Sequence, residues 1–222
     1  MKRKPIRDIR FYESDEENVD GFSPPSETGR VYKLPADSVA LGACSARKLA
    51  AEGFTAPGYD HVYVNLTPLL RQGDVRVSPR QVEDWLVYVD AGVDPSAWTG
   101  LSVDERRQAL IAITTKALRA LCRRDGLEAR IVQAVGKLIA ARECNLDFVC
   151  KSKETAQYSV AVTYQIKPPS GQNSPSYIEY LDKRTGAAGK SPFVTLDWYD
   201  DVFALVGTIA VSKGAIKVAP SP

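Results

Sequence analysis

Histidine is nearly absent from this chain of 222 residues, and its absence excludes several kinds of chemistry. The single histidine, His61, would have to serve any histidine-based dyad or triad. Asp60 precedes it and Cys44 is the nearest thiol in sequence, but a strand histidine that faces solvent or a tyrosine is the better explanation of His61. We therefore predict no catalytic residues, which favours binding over catalysis.

Cysteines are few and dispersed, which argues against a disulfide framework or a zinc site. Only Cys144 and Cys150 are close in sequence, and their separation does not fit the two to four intervening residues of common zinc knuckles. With one histidine available, the sequence predicts no structural metal and no cofactor. Reduced, mostly buried thiols are typical of a cytoplasmic protein.

Long apolar runs are also lacking. The longest, residues 202–211, contains Gly207 and Thr208 and is about half the roughly 20 residues that a membrane helix needs. The basic N-terminus is not followed by the apolar stretch of a signal peptide. We expect no membrane span and a cytoplasmic location.

The net charge is small overall, but side chains of opposite charge are segregated into two blocks near the N-terminus. The formal charge is +2, which disfavours a dedicated nucleic-acid binder. Residues 1–10 carry five basic side chains and one acidic one, whereas residues 11–20 carry five acidic side chains and no basic one. The two blocks can pair with each other or face different partners.

The patterns that are present predict an α+β protein with central helices packed on a mostly antiparallel sheet. Alternating residues predict strands over 6–12, 31–34 and 59–66, and again over 146–150, 158–166, 177–181 and 215–218. We expect a charged, partly mobile N-terminal arm over residues 1–30 and a single α+β domain over residues 31–222.

Capping signals predict the helices. Ser45 is the expected N-cap of a helix ending near Gly53, and Ser78-Pro-Arg-Gln81 predicts another that continues to Gly92. Asp94-Pro95 predicts a short helix, and the capping box Ser102-Val-Asp-Glu105 begins a long one that ends at residues 125–126. A helix over 127–143 follows. The run over 198–211 fits either a buried helix, by the spacing of its apolar residues, or a strand, by its β-branched residues, and we favour a helix first.

Two alternative functions remain open from the residues. An enzyme that needs no histidine could use carboxylates, arginines and tyrosines around the glycine-containing loop 184–191, although this loop lacks the spacing of a phosphate-binding loop. A nucleic-acid-associated accessory protein could use basic side chains on the two long helices. These are Arg106, Arg107, Lys116, Arg119, Arg123, Arg124, Arg130 and Lys137.

The acidic N-terminal run is the candidate partner-binding segment. Carboxylates flanked by aromatic side chains would speed encounter with a basic protein and provide anchors for it. The residues assigned to this role are Tyr12, Glu13, Asp15, Glu16, Glu17 and Phe22.

Three stretches resemble immunity proteins of bacterial polymorphic-toxin systems. They are Tyr59-Asp-His-Val-Tyr-Val-Asn-Leu-Thr-Pro68, Val77-Ser-Pro-Arg-Gln-Val-Glu-Asp-Trp85 and Val89-Asp-Ala-Gly-Val-Asp-Pro95, and the resemblance covers about residues 40–125. It implies a cytoplasmic protein that neutralises a cognate toxin by binding it, without a cofactor. Together with the missing catalytic groups, this makes a protein-binding immunity or inhibitor protein the leading hypothesis.

Overall fold

The computed structural model describes residues 2–15, 24–142, 144–168, 173–212 and 215–221. The chain divides into two compact units, Met1–Glu143 (unit 1) and Cys144–Pro222 (unit 2). This differs from the expected arm over 1–30 and single domain over 31–222, because the described part of that arm supplies three strands to unit 1.

Unit 1 has seven strands and four helices among its described residues. They are β1 (Arg3–Pro5), β2 (Asp8–Glu13), β3 (Ser26–Glu27), α1 (Ser38–Ala51), β4 (Thr55–Pro57), β5 (His61–Thr67), β6 (Val75–Val77), β7 (Leu86–Gly92), α2 (Pro95–Gly100), α3 (Val103–Asp125) and α4 (Arg130–Arg142). Five strands form a sheet in the order β3-β2-β5-β7-β6.

The centre of this sheet is parallel. β2 pairs in parallel with β5 and β5 with β7, while β3 and β6 are antiparallel edge strands. α1 lies in the crossover from β2 to β5, as parallel neighbours require a long connection. The chain is thus a mixed α and β protein, but the predicted mostly antiparallel sheet is wrong for unit 1, and no one sheet has all the helices packed on it.

The two faces of the unit 1 sheet differ in character. Strand alternation places Ile9, Val62 and Val64 on the face where α1 packs, and all three are buried. α3 contacts β6 and β7, and α4 packs on α1 and α3. The opposite face carries polar and aromatic side chains instead.

α1 begins seven residues before the predicted N-cap. Ser45 is an interior residue whose hydroxyl donates to the carbonyl of Leu41 (2.9 Å), so the prediction of a cap there is wrong. The hydroxyl thus forms a hydrogen bond within its own helix, which is a known alternative to capping. Gly53 does lie just beyond the end of the helix, with a positive φ of 77°.

The predicted helix over residues 78–92 is a loop followed by β7. Val82, Trp85, Leu86 and Val89 have helical spacing by coincidence, and the prediction is wrong. β7 is an interior strand between β5 and β6, and six of its seven residues are buried.

The other caps in unit 1 are confirmed. Asp94 accepts from the backbone N–H groups of Ser96 and Ala97 at the start of α2. Ser102 and Glu105 form the reciprocal capping box of α3, and Gly126 ends that helix in the left-handed conformation. α4 begins three residues later than expected. Among the described residues, no helix is both long and apolar enough to cross a membrane.

Unit 2 is an antiparallel meander with a terminal ribbon. Its elements are β8 (Phe148–Glu154), β9 (Tyr158–Tyr164), β10 (Ser174–Asp182), β11 (Ala188–Leu196), a 3-10 turn (Tyr199–Asp201), α5 (Val202–Leu205), β12 (Thr208–Ser212) and β13 (Ala215–Ala219). The sheet order β11-β10-β9-β8 confirms the expected meander, and the strands predicted over 146–150, 158–166 and 177–181 correspond to β8, β9 and β10.

The predicted helix over much of 198–211 is wrong beyond residue 205. The backbone N–H of Gly207 donates to the carbonyl of Ala219 (2.7 Å), and β12 then pairs with β13. A Cβ added at Gly207 would collide with the backbone of Pro220, so the pairing of β12 with β13 depends on a glycine just before β12.

Candidate functional site

The predicted partner-binding residues fall in different environments. Tyr12 is partly exposed at the end of β2, and Asp15 forms an ion pair with Arg30 (2.5 Å). Glu13 is buried. Glu16, Glu17 and Phe22 lie outside the described residues.

Glu13 organises the segment that follows β3. Its carboxylate, which is 0% exposed, accepts hydrogen bonds from four consecutive backbone N–H groups, those of residues 29–32, at 2.9–3.2 Å. These donors face the carboxylate instead of a neighbouring strand, so the predicted strand over 31–34 does not form. The Tyr32 hydroxyl then donates to the carbonyl of Val93 (2.6 Å), which fixes the segment further.

A connected group of rings covers the sheet face away from α1. Arg10, Tyr63 and Tyr88 are register partners across β2, β5 and β7, so their side chains share this face. We call the surface the aromatic face; it comprises Arg10, Tyr12, His61, Tyr63, Trp85 and Tyr88.

Ring contacts run through the aromatic face without a break. Centroid distances are 4.7 Å from Trp85 to His61, 6.3 Å from His61 to Tyr63, and 4.8 Å from Tyr63 to Tyr12. Tyr88 packs edge-on against Tyr63 at 5.6 Å, and the Arg10 guanidinium lies 5.9 Å from the Tyr63 centroid. Such ring pairs stabilise one another beyond their burial.

A polar network borders the rings. Asn65 donates from Nδ2 to Asp90 (2.9 Å), and Arg76 Nε donates to the other oxygen of that carboxylate (3.2 Å). Asn65 is 2% exposed, and its Oδ1 has no hydrogen-bond partner within the described part of the chain. The carboxylate fixes the amide orientation, because the reverse would place two acceptors together.

The histidine at this surface is held by its neighbours. Its Nδ1 lies 2.7 Å from Asp60 Oδ1, and its ring packs against Trp85. Cys44 is buried in α1. In the described ranges, no cluster of three or more histidine, cysteine, aspartate or glutamate side chains has metal-binding geometry.

Tyr63 provides a spectroscopic probe of this surface. Burial, assisted by Tyr12 and Asp8, raises its pKa to about 12. The folded protein therefore keeps this proton after the unfolded chain, whose tyrosines titrate near pH 10, has lost it. The stability that the raised pKa of Tyr63 contributes is complete below about pH 10 and is lost as the pH rises through about 12.

We expect alkaline absorbance titration to show a late tyrosinate phase that shrinks in the Tyr63→Phe variant. The same variant should lose less stability than the unaltered chain between about pH 10 and 12, because it no longer carries the linked proton. Equal late phases in both proteins would refute the assignment.

A cleft of about 760 Å³ lies beside the aromatic face, at the amino ends of β5 and β7. On one wall, the Tyr59 hydroxyl donates to Asp125 (2.8 Å) and Arg124 donates two hydrogen bonds to the same carboxylate (2.6 and 2.9 Å). Burial alone would raise the pKa of Asp125, but these donors lower it. Asp125 is therefore a structural anion, committed to Arg124 and Tyr59.

The loop 78–85 forms the other wall of the cleft and joins it to the aromatic face. Residues Ser78, Arg80, Gln81, Val82, Glu83 and Asp84 line the cleft, and Trp85 follows them on the aromatic face. The Ser78 N–H donates to the Tyr88 carbonyl, and the Trp85 carbonyl accepts from residues 60 and 61. Both ends of the loop are thus fixed to the sheet.

Several basic side chains of the long helices serve internal contacts. Arg106 donates to three backbone carbonyls near α2, Arg107 pairs with Asp37 (2.6 Å), and Lys116 donates to the carbonyl of Gly73. Arg124 is held by Asp125. These contacts weaken the nucleic-acid alternative, because half of the eight predicted basic side chains hold the fold together.

The loop 184–191 is the turn between β10 and β11 and the start of β11. Lys190 pairs with Asp147 (2.6 Å) and Glu179 (3.0 Å) and lies 4.4 Å from the Tyr177 centroid. Hydrogen bonding to Asp147 raises its pKa. The adjoining depression, about 610 Å³, is open and lined by both small and large side chains, Lys190 and Glu179 among them. Lys190 therefore links β11 to Glu179 of β10 and to Asp147, the residue before β8.

The comparisons with known proteins give no relative: no family model, no curated protein and no solved structure matches this chain.

Proposed function

We propose that this protein is an inhibitor that binds another protein, and that it neutralises a cognate bacterial toxin by direct contact in the cytoplasm. The aromatic face is the contact surface in this proposal. The inhibition uses no cofactor, since binding alone blocks the partner.

The composition and exposure of the aromatic face carry the proposal. Trp85 is 39% exposed and the Arg10 side chain 56% exposed, and the rings that join them are partly or fully buried. Tryptophan, tyrosine and arginine are the residues most enriched among those that dominate binding energy at protein interfaces. A surface where they touch one another is suited to a partner of complementary shape.

The rigidity of this surface also supports binding. The loop that carries Trp85 is fixed at both ends, and most of the tyrosines lie on strands at the centre of the sheet. A rigid surface loses little conformational entropy when a partner binds, so more of the contact energy appears as affinity.

The N-terminal residues extend the proposed contact. Tyr12 belongs to the aromatic face, and Asp15 lies three residues further along the chain, where its charge can steer a basic partner. Glu13 has a different role in the proposal, because its carboxylate is occupied by the segment 29–32 and positions the residues around Tyr12.

The Trp85→Ala variant tests the proposed surface. We expect it to weaken binding of the purified toxin that a pull-down with the unaltered chain recovers from the native host by about 2 kcal/mol, roughly 30-fold in Kd, because a tryptophan anchor would be lost. Isothermal titration calorimetry measures the affinity, and growth of cells that express the toxin measures the protection.

Trp198→Ala is the matched control, since Trp198 is 36% exposed but belongs to unit 2. It should bind as tightly as the unaltered protein. If no toxin of the native host binds the unaltered chain, the inhibitor proposal is wrong. If Trp198→Ala weakens binding and Trp85→Ala does not, the aromatic face is not the contact surface.

A further inference from the structure

Apolar and acidic groups stand together at the mouth of the cleft beside Trp85. Pro57, Val82 and Leu86 supply apolar lining, while Glu83 and Asp84 are exposed on the loop that forms one wall. A partner seated on Trp85 would therefore meet the cleft immediately next to its contact with the aromatic face.

We infer that the cleft receives a lysine or arginine side chain of the protein partner, next to an anchor on Trp85. This inference rests on the proposed function and specifies the chemistry of the partner at that site. The apolar lining packs against the aliphatic stem of the side chain, and the carboxylates at the mouth receive its charged head.

The charges of the cleft favour a cation. Asp125 and Arg124 neutralise each other in a two-bond pair, which leaves Glu83 and Asp84 against Arg80. Arg80 also lines the cleft, but it is only 8% exposed and donates to the Ser14 hydroxyl (3.2 Å), whereas Glu83 and Asp84 are exposed. Within the described part of the chain, neither Glu83 nor Asp84 forms an ion pair, and both carboxylates are accessible to a partner.

The shape of the cleft agrees with the entry of a long side chain. Its volume of about 760 Å³ exceeds what one side chain fills, so the cationic head can adopt a favourable geometry with water beside it.

A charge-removal variant tests the inference. We expect Glu83→Gln combined with Asp84→Asn to slow association with the same purified toxin about tenfold at low salt, since exposed carboxylates act mainly through steering. The association rate of the variant should also depend less on salt than that of the unaltered protein. Stopped-flow tryptophan fluorescence measures both.

The control variant removes the same amount of charge elsewhere on unit 1. Asp74→Asn combined with Glu128→Gln alters two exposed carboxylates that do not line the cleft. It should keep the association rate and salt dependence of the unaltered chain. Equal slowing by both double variants would overturn the inference, because only the net charge would then matter.

A second measurement separates this inference from the proposed function. Hydrogen exchange of the complex should show protection of the backbone N–H groups of residues 81–86, together with the Trp85 contact. If Trp85→Ala weakens binding while the double variant at 83 and 84 binds unchanged, the cleft inference fails and the proposed function stands. If the toxin binds neither the unaltered chain nor any variant, the proposed function itself fails.

Discussion

Glu13→Gln is expected to destabilise unit 1 by about 3–5 kcal/mol, which is the usual cost of leaving buried charged groups or their partners uncompensated. The carboxylate accepts from four backbone N–H groups while fully buried, and glutamine can offer only one acceptor oxygen and would place an NH2 group against N–H donors. Urea unfolding followed by circular dichroism measures the loss.

Asp15→Asn is the matched control for Glu13→Gln. It neutralises a carboxylate only two residues away whose partner is the exposed Arg30, so the unfolding midpoint should hardly change. The pair separates the two roles within the acidic run: Asp15→Asn should affect partner association, whereas Glu13→Gln should affect folding. Equal stability of both variants would show that the buried carboxylate is not needed by the fold.

The sequence predicted best those elements whose signals are local. The capping box at Ser102 and the Asp94-Pro95 start depend on residues within four positions of each other, and both helices form as expected. The alternation over residues 59–66 placed Val62 and Val64 on one face, and β5 has that arrangement. The same alternation implies that Tyr63 lies on the other face, where the candidate site is found.

The predictions from the sequence failed where long-range contacts decide the structure. The apolar residues over 82–89 match a helical spacing that the capping signal at Ser78 reinforced, whereas pairing with β5 and β6 makes the stretch from residue 86 a strand. Trp85 and Tyr88 were consequently placed on the wrong element and missed as site residues. Glu13 was placed on the surface with the other acidic residues, because nothing local indicates that the N–H groups of 29–32 would surround it.

The close approach of α1 to β2 depends on the absence of a side chain at Gly42. A Cβ there would lie far inside van der Waals contact with the backbone carbonyl of Ile9. Backbone atoms cannot rotate away as a flexible side chain would, so Gly42→Ala must move the helix off the strand. Both Ile9 and Leu41 are almost fully buried at this interface, and separating the elements would open a cavity between them.

We expect Gly42→Ala to lower the free energy of unfolding by about 3 kcal/mol or more, beyond the helix propensity that alanine gains. Gly100→Ala in α2 is the control, because a Cβ at that position meets no atom within 4 Å and the φ is not positive. That variant should be as stable as the unaltered protein or slightly more stable. Since α1 holds β2 and β2 carries Arg10 and Tyr12, Gly42→Ala should also weaken toxin binding while Trp85 remains intact. Unchanged stability of Gly42→Ala would mean that the helix can shift without cost, and the aromatic face would then not depend on this contact.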